Sequence, residues 1–363
     1  MSVDSRLAQV VISLADSCHE HANNITASGI VPAINFPKYK SDDDDSAPYF
    51  PLLGFEKYDR NPVLGPNAAN EWESAYVYNP AAIVIEETVL LFHRAQVENK
   101  TSSIGLAWSW NGHDFDRFKQ PILTPTEPYE IPGGCEDPRV VLVNGTLYLT
   151  YTAFNGVTAR LCMATSIDLI NWTKHGLILP DVEDVEYLSQ HPMTPYKPRK
   201  GWSKSGAVLD EPISGKYHMH YGEGFLYTAT STDLLHWEHD TTPFAQKLNV
   251  WEQGLLESGP PPVKTRDGKW IQIYNGVATG LGGYTAGRYS VGQMLIDPVK
   301  WPKGPPVASV EIPVLQPETE KEKNGQVNNV VFAEGLVQLK GKWFLYYGMA
   351  DQYIGVATTP VQP

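Results

Sequence analysis

Five copies of an antiparallel meander, about 60 residues apart, predict an all-β chain folded as a five-bladed β-propeller with an N-terminal helical extension. Three observations carry this reading. The first is a repeat centred on Ala107, Ala164, Ala229, Gln293 and Ala357, each within a strand-like stretch such as Leu226-Tyr227-Thr228-Ala229-Thr230-Ser231. The second is hairpin grammar before most copies: a Gly-containing turn (Asn144-Gly145, Ser214-Gly215, Asp267-Gly268, Lys340-Gly341) joins two apolar, aromatic-rich runs. The third is composition, since 30 Gly, 29 Pro, 19 Tyr and 10 Trp describe a turn-rich β protein rather than a helical one.

Taken in order, the chain opens with Leu7, Val10, Val11, Leu14 and Cys18, the stripe of an amphipathic helix. Gln9, Ser13 and Asp16 interrupt what would otherwise resemble the apolar core of a signal peptide. The run Asp42 to Asp45 lacks the alternating spacing and glycine of a calcium loop and is expected as a solvated acidic loop. Residues 1–50 are thus an extension, and 51–363 the propeller domain. First strands of the five blades are expected at Ala81 to Ile85, Arg139 to Val143, Gly206 to Leu209, Pro261 to Lys264 and Gly335 to Leu339. The pairs Asp168/Trp172, Asp233/Trp237 and Asp297/Trp301 are expected to close turns between outer strands.

The balance of 28 basic against 41 acidic residues, a net charge of −13, argues against nucleic acid or an anionic membrane as the partner. A neutral ligand such as a sugar remains compatible. Three unclustered cysteines suggest neither a disulfide framework nor a zinc site, and Cys135 reads as a packing residue. No run approaches the roughly 18 apolar residues of a membrane span. A reducing, cytoplasmic setting is expected; oligomeric state is left open.

In a propeller the residues just before the first strands meet at one mouth of the channel. Here they include Asn79, Glu136-Asp137-Pro138-Arg139, Trp202-Ser203-Lys204-Ser205, Glu257 and the stretch Asn328 through Glu334; second-strand ends add Arg94, Tyr221 with Glu223, Asn275 and Asp351. Facing carboxylates suit acid and base work, because repulsion raises the pKa of one while a cation keeps another ionised. Glycoside hydrolysis needs such a pair and no cofactor or metal. Trp72, Trp108, Trp110, Trp202 and Trp251 are candidates for sugar stacking, with packing roles favoured and Trp202 the best exception.

The segments Asn79-Pro80-Ala81-Ala82, Arg94-Ala95, Gly134 to Arg139, Asn328 to Phe332 and Tyr346 to Asp351 resemble the signature segments of glycoside hydrolase family 130, over roughly residues 55–360. The resemblance implies a five-bladed propeller acting on β-mannosides. Where the family's phosphorylases carry phosphate-binding cations, this chain reads His220-Tyr221-Gly222-Glu223-Gly224; with Glu257-Ser258-Gly259 this is similar to the β-1,2-mannosidase branch. It implies Asp137 as general acid and Glu223 or Glu257 as general base, the choice left open. Asn79, Arg94, Glu136, Arg139, Lys204 and Asp351 are implied to grip the mannosyl unit or orient Asp137. The expected activity is an inverting exo-hydrolysis of β-1,2-linked manno-oligosaccharides, with carboxyl groups about 6.5–9.5 Å apart. The alternatives are a mannoside phosphorylase releasing mannose 1-phosphate and a non-catalytic sugar-binding propeller.

Overall fold

A computed structural model of the chain describes residues 46–184, 201–240, 242–245, 249–300 and 304–362. The expected N-terminal helix, the Asp42 to Asp45 run and Trp301 lie outside them. The described residues are almost entirely β, with a single short α-helix.

After β1 (Glu56–Lys57) come five meander units in chain order. The first holds β2 (Tyr76–Ile85), β3 (Thr88–Gln96), β4 (Ser102–Ser109) and β5 (Asp116–Arg117). The second holds β6 (Gly134–Val143), β7 (Thr146–Phe154), β8 (Ala159–Ser166) and β9 (Thr173–Leu177). The third has β10 (Ala207–Val208), β11 (Tyr217–Tyr221), a detached β12 (Glu223–Gly224), β13 (Tyr227–Ser231) and β14 (Glu238–His239). In the fourth, β15 (Leu255–Ser258) and β16 (Val263–Lys264) precede β17 (Trp270–Val277), β18 (Tyr289–Ile296) and β19 (Ala308–Ser309). Helix α1 (Glu320–Lys323) leads into the fifth, β20 (Val331–Leu339), β21 (Lys342–Met349) and β22 (Tyr353–Pro360). Strand β1 pairs antiparallel with β22, so the fourth strand of the last unit comes from near the start of the described chain.

Neighbouring units share cores. One apolar cluster joins units one and two (Phe92, Leu106, Leu149), the next two and three (Met163, Met219) and a third three and four (Leu226, Trp251, Trp270). The fourth joins units four and five (Ile273, Leu345), and the last joins five back to one (Leu91, Tyr346). Sheets bury apolar residues on both faces here, which explains the near-continuous aliphatic and aromatic runs of the sequence. Two of the three Asp–Trp pairs lie within the described residues and close turns as expected: Asp168 Oδ1 accepts the backbone N–H groups of Ile170 and Asn171, and Trp172 Nε1 donates to Leu169 O at 2.8 Å. Trp237 does the same to Leu234 O at 2.9 Å. Cys135 is a buried core residue, as expected. Trp108 and Trp251 are buried in the cores, whereas Trp110 is exposed.

The first strands begin earlier than the sequence suggested. Strand β6 starts at Gly134 rather than Arg139, β2 at Tyr76, β20 at Val331, and the fourth unit's first strand is Leu255–Ser258 rather than Pro261 to Lys264. The polar residues interrupt the apolar pattern, yet the backbone stays paired through them by bulging. The ladder shifts between Tyr78 and Pro80, between Glu136 and Arg139, and between Ala333 and Gly335. A bulge leaves a residue unpaired and re-aims its side chain.

Candidate active site

Those bulges build the site. Asn79 and Asp137 occupy the two bulges of β2 and β6 with φ of 47° and 45°, left-handed values that Asn and Asp tolerate better than most residues. Ser205 and Asp351 share this conformation, as do turn residues away from the site such as Glu86, Asn144 and Ser214. Gly134, at φ +117°, is the hinge into β6: a β-carbon there would lie 2.2 Å from Ser102 O. This close approach is what places Glu136 and Asp137 beside Arg94.

Asp137 is buried, and its Oδ1 accepts from Asn79 Nδ2 at 2.9 Å and from Arg94 Nη1 at 3.0 Å. Arg94 divides its guanidinium further, with Nη2 on Glu136 Oε1 at 2.6 Å and Nε on Ser102 Oγ at 3.0 Å, and it stacks over the Tyr78 ring. Ser102 Oγ also donates to Glu136 Oε1 at 3.2 Å. Burial pushes the Asp137 carboxyl up, but Arg94, then Lys204, Arg139 and the Asn79 amide, outweigh it and hold the group at about 2. Glu136 moves the other way, raised by burial and by the Asp137 charge against the partial relief of Arg94. Asp351 belongs to the same field: burial lifts it to about 7, opposed by Arg94 and reinforced by Asp137.

A second carboxylate pair stands on the other side. Glu223 on β12 is the direct cross-strand partner of Glu257 on β15. Like charges placed so repel. Lys204 Nζ relieves this at 3.0 Å from Glu257 Oε1 and 3.8 Å from Glu223 Oε1, and Ser205 Oγ donates a short hydrogen bond to Glu257 Oε1. Burial raises the Glu257 carboxyl, with Lys204 opposing and Glu223 adding to the rise. Lys204 is itself drawn well above its usual range: burial opposes the charge, but Glu257, Glu223 and Asp137 outweigh it. The shared field of Lys204 thus ties the glutamate pair to Asp137.

The structure therefore brings together Asn79, Arg94, Glu136, Asp137, Lys204, Glu223, Glu257 and Asp351. Arg139 has the contacts of the second of its two implied roles, orienting Asp137. It is 1% exposed, and its donors go to Asp137 O (3.0 Å), Ser258 O (2.6 Å) and Gly259 O (3.2 Å). Asn275 is also structural: it exchanges two hydrogen bonds with the Ala333 backbone and locks unit four to unit five. Trp202 is half-buried and 6.1 Å from the Phe154 ring, beside Lys204 in sequence. His220 Nδ1 lies 2.6 Å from Gln272 Oε1, a core contact rather than a metal ligand. Sequence reasoning missed Ser102, whose hydroxyl carries no signature; it placed Ser205 and Glu334 in the entry stretches at the channel mouth without assigning either a role. Glu334 occupies the third bulge, and the recurrence of a polar residue just before Pro80, Pro138 and Gly335 was the signal that marked it.

The glycoside hydrolase 130 family model, described as beta-1,4-mannooligosaccharide phosphorylase, matches residues 56–363. Beta-1,2-mannobiose phosphorylase of Thermoanaerobacter sp. (strain X514) is 34% identical over 84% of this chain and 97% of the relative. The 1,2-beta-oligomannan phosphorylase of the same organism is 32% identical with the same coverage. Among solved structures, a glycosyl hydrolase from Bacteroides ovatus superposes with a TM-score of 0.76 at 30% identity, over 88% of this chain and 99% of that one. Another, from work stating that the family "contains glycoside hydrolases that target beta-1,2 mannosidic linkages in Candida mannan", gives 0.74 at 31% identity, with coverage of 88% and 99%.

Proposed function

The chain belongs to glycoside hydrolase family 130, and on that premise we propose that it is an inverting, exo-acting β-1,2-mannosidase built as a closed five-bladed propeller. The five meander units are the blades, the five shared cores are the blade interfaces, and β1 supplies the outer strand of the last blade. The substrate is a manno-oligosaccharide; the β-1,2 linkage is favoured by the names of the two Thermoanaerobacter relatives.

Asp137 delivers the proton to the leaving oxygen. In the free protein its neighbours hold it ionised, so the proton it passes on comes from the surrounding carboxyl groups. Asp351, raised to about 7, and Glu136, also raised, keep protons at pH values where an ordinary carboxyl has none. Asn79 and Arg94 fix the Asp137 carboxyl in one orientation, which is what a positioned acid requires. On the opposite side Glu257 activates water. Glu257 is assigned as the base because its carboxylate is held by Lys204 and Ser205 and burial raises its affinity for a proton, a rise to which the Glu223 charge adds.

The observation that carries hydrolysis over phosphorolysis is the Glu223–Lys204–Glu257 triad. An incoming phosphate would meet two carboxylates that already share the lysine. Water meets no such repulsion. A second reading, phosphorolysis with release of mannose 1-phosphate, is favoured by the names of the curated relatives and by Lys204 as a cation at the site. Incubation with β-1,2-mannobiose with and without inorganic phosphate tests the choice. Free mannose at the same rate in both supports hydrolysis, whereas phosphate-dependent mannose 1-phosphate supports the second reading. A non-catalytic sugar-binding propeller would give neither product.

A further inference from the structure

Three first strands carry a bulge, and two of the bulged positions, Asn79 and Asp137, already belong to the site. The third is Glu334 on β20. Its side chain is wholly buried, while those of Glu136 and Glu223 keep 12% and 14% exposure. Asp137 and Glu257, the proposed acid and base, are nearly as enclosed at 4% and 2%, so Glu334 belongs to the same buried layer. Its partner is Arg139, with Nη2 3.0 Å from Oε1, and neither carboxyl oxygen accepts a hydrogen bond from the described residues.

Arg139 explains why this matters. Its Nη1 holds the carbonyl of Asp137, its Nη2 the carbonyl of Ser258 and its Nε that of Gly259. Ser258 directly follows Glu257 on β15. A single guanidinium thus spans from the acid-bearing strand to the base-bearing strand, and Glu334 approaches from a third strand. Without the Glu334 side chain the guanidinium would lose the group packed 3.0 Å from its Nη2, and the emptied space would let it move or admit water. Either response shifts Asp137 relative to Glu257.

We propose that Glu334 is a positioning residue for glycoside cleavage: by anchoring Arg139 it holds Asp137 and Glu257 at their working separation. This rests on Asp137 and Glu257 being the acid and the base. The charged groups facing Glu334 are Arg139 and Asp137 from β6, Glu257 from β15 and Lys204 from the stretch before β10; burial raises its carboxyl well above the ordinary range despite Arg139. A neutral side chain of the same shape is therefore a fair substitute, and a truncated one is not.

The test is steady-state turnover of β-1,2-mannobiose, with and without phosphate, by the wild type, Glu334→Ala, Glu334→Gln and Arg139→Lys. Misplacing catalytic groups by about 1 Å costs on the order of 100-fold. Glu334→Ala and Arg139→Lys are expected to lose about that factor in kcat with KM within about threefold, and Glu334→Gln to stay within about tenfold of wild type. The proposal is overturned if the alanine variant keeps kcat within about threefold, if its loss appears in KM, or if glutamine rescues nothing. Should the alanine variant not fold, Glu334→Gln decides, a loss above about 100-fold counting against the proposal. Absence of turnover by the wild type itself would instead remove the mannosidase reading, which separates the two failures.

Discussion

Glu223 and Glu257 stand directly opposite each other across the β12–β15 pair, their nearest oxygens 3.8 and 3.0 Å from the single ammonium of Lys204. Two carboxylates on one cation leave a local negative excess where a nucleophile would approach. Replacing Glu257 with Gln removes the proposed base and is expected to lower kcat by about 10²–10⁴-fold. Glu223→Gln removes the charge that raises Glu257, so its loss is expected to be smaller and accompanied by a shift of the acid limb of the kcat–pH profile to lower pH. Equal losses without such a shift would reverse the assignment or divide the base role between the two.

Asp137→Asn keeps the hydrogen-bonding shape but cannot cycle a proton. A loss of about 10²–10⁴-fold in kcat is expected, together with a lowered melting temperature above about pH 4, because the charge that Arg94 and Lys204 stabilise is removed even though the hydrogen bonds of Asn79 and Arg94 keep a partner. A variant with wild-type kcat would remove Asp137 from the chemistry.

Gly348 on β21 makes room for Asn79, since a β-carbon there would lie 2.3 Å from Asn79 Oδ1. Gly348→Ala must displace the amide that orients Asp137. Overpacking of this kind costs about 1–3 kcal/mol. The expected result in thermal unfolding is a lowered midpoint together with lowered kcat; an unchanged kcat would mean that the Asn79–Asp137 hydrogen bond is dispensable.

Asp351 and Asp137 give opposite pH signatures. The native Asp351 titrates near 7 against 3.8 for an ordinary aspartate. Between those values the folded state holds a proton that the unfolded chain has released, so stability falls as pH rises from about 4 to about 7. Asp137, held at about 2, contributes stability that is present above about pH 4 and lost as pH falls toward 2. Asp351→Asn is expected to flatten the decline between pH 4 and 7 in melting temperatures, leaving the acid-side loss in place. Parallel curves for wild type and variant would contradict a half-buried Asp351 that retains its proton.

The repeat made the strand order legible, because hydrophobic runs recur at every unit, Gly turns at four of the five, and Asp168/Trp172 and Asp233/Trp237 close the expected turns. Strand starts were not legible. Asn79, Asp137 and Glu334 interrupt apolar runs and read as loop residues, whereas bulges carry them inside continuous ladders. The resemblance to the family selected Asn79, Arg94 and Asp137 correctly as neighbours, and spacing alone had no means to do so. For Arg139 the sequence left two roles open, gripping the sugar or orienting Asp137, and only the fold shows its donors on the carbonyls of Asp137, Ser258 and Gly259.

The most direct measurement is the anomeric and chemical identity of the product from β-1,2-mannobiose, followed by NMR with and without inorganic phosphate. Release of α-mannose at a phosphate-independent rate is expected of Asp137 working against water held by the glutamate pair. Mannose 1-phosphate formed only when phosphate is present would contradict it, and would make Lys204 a phosphate ligand despite Glu223 and Glu257.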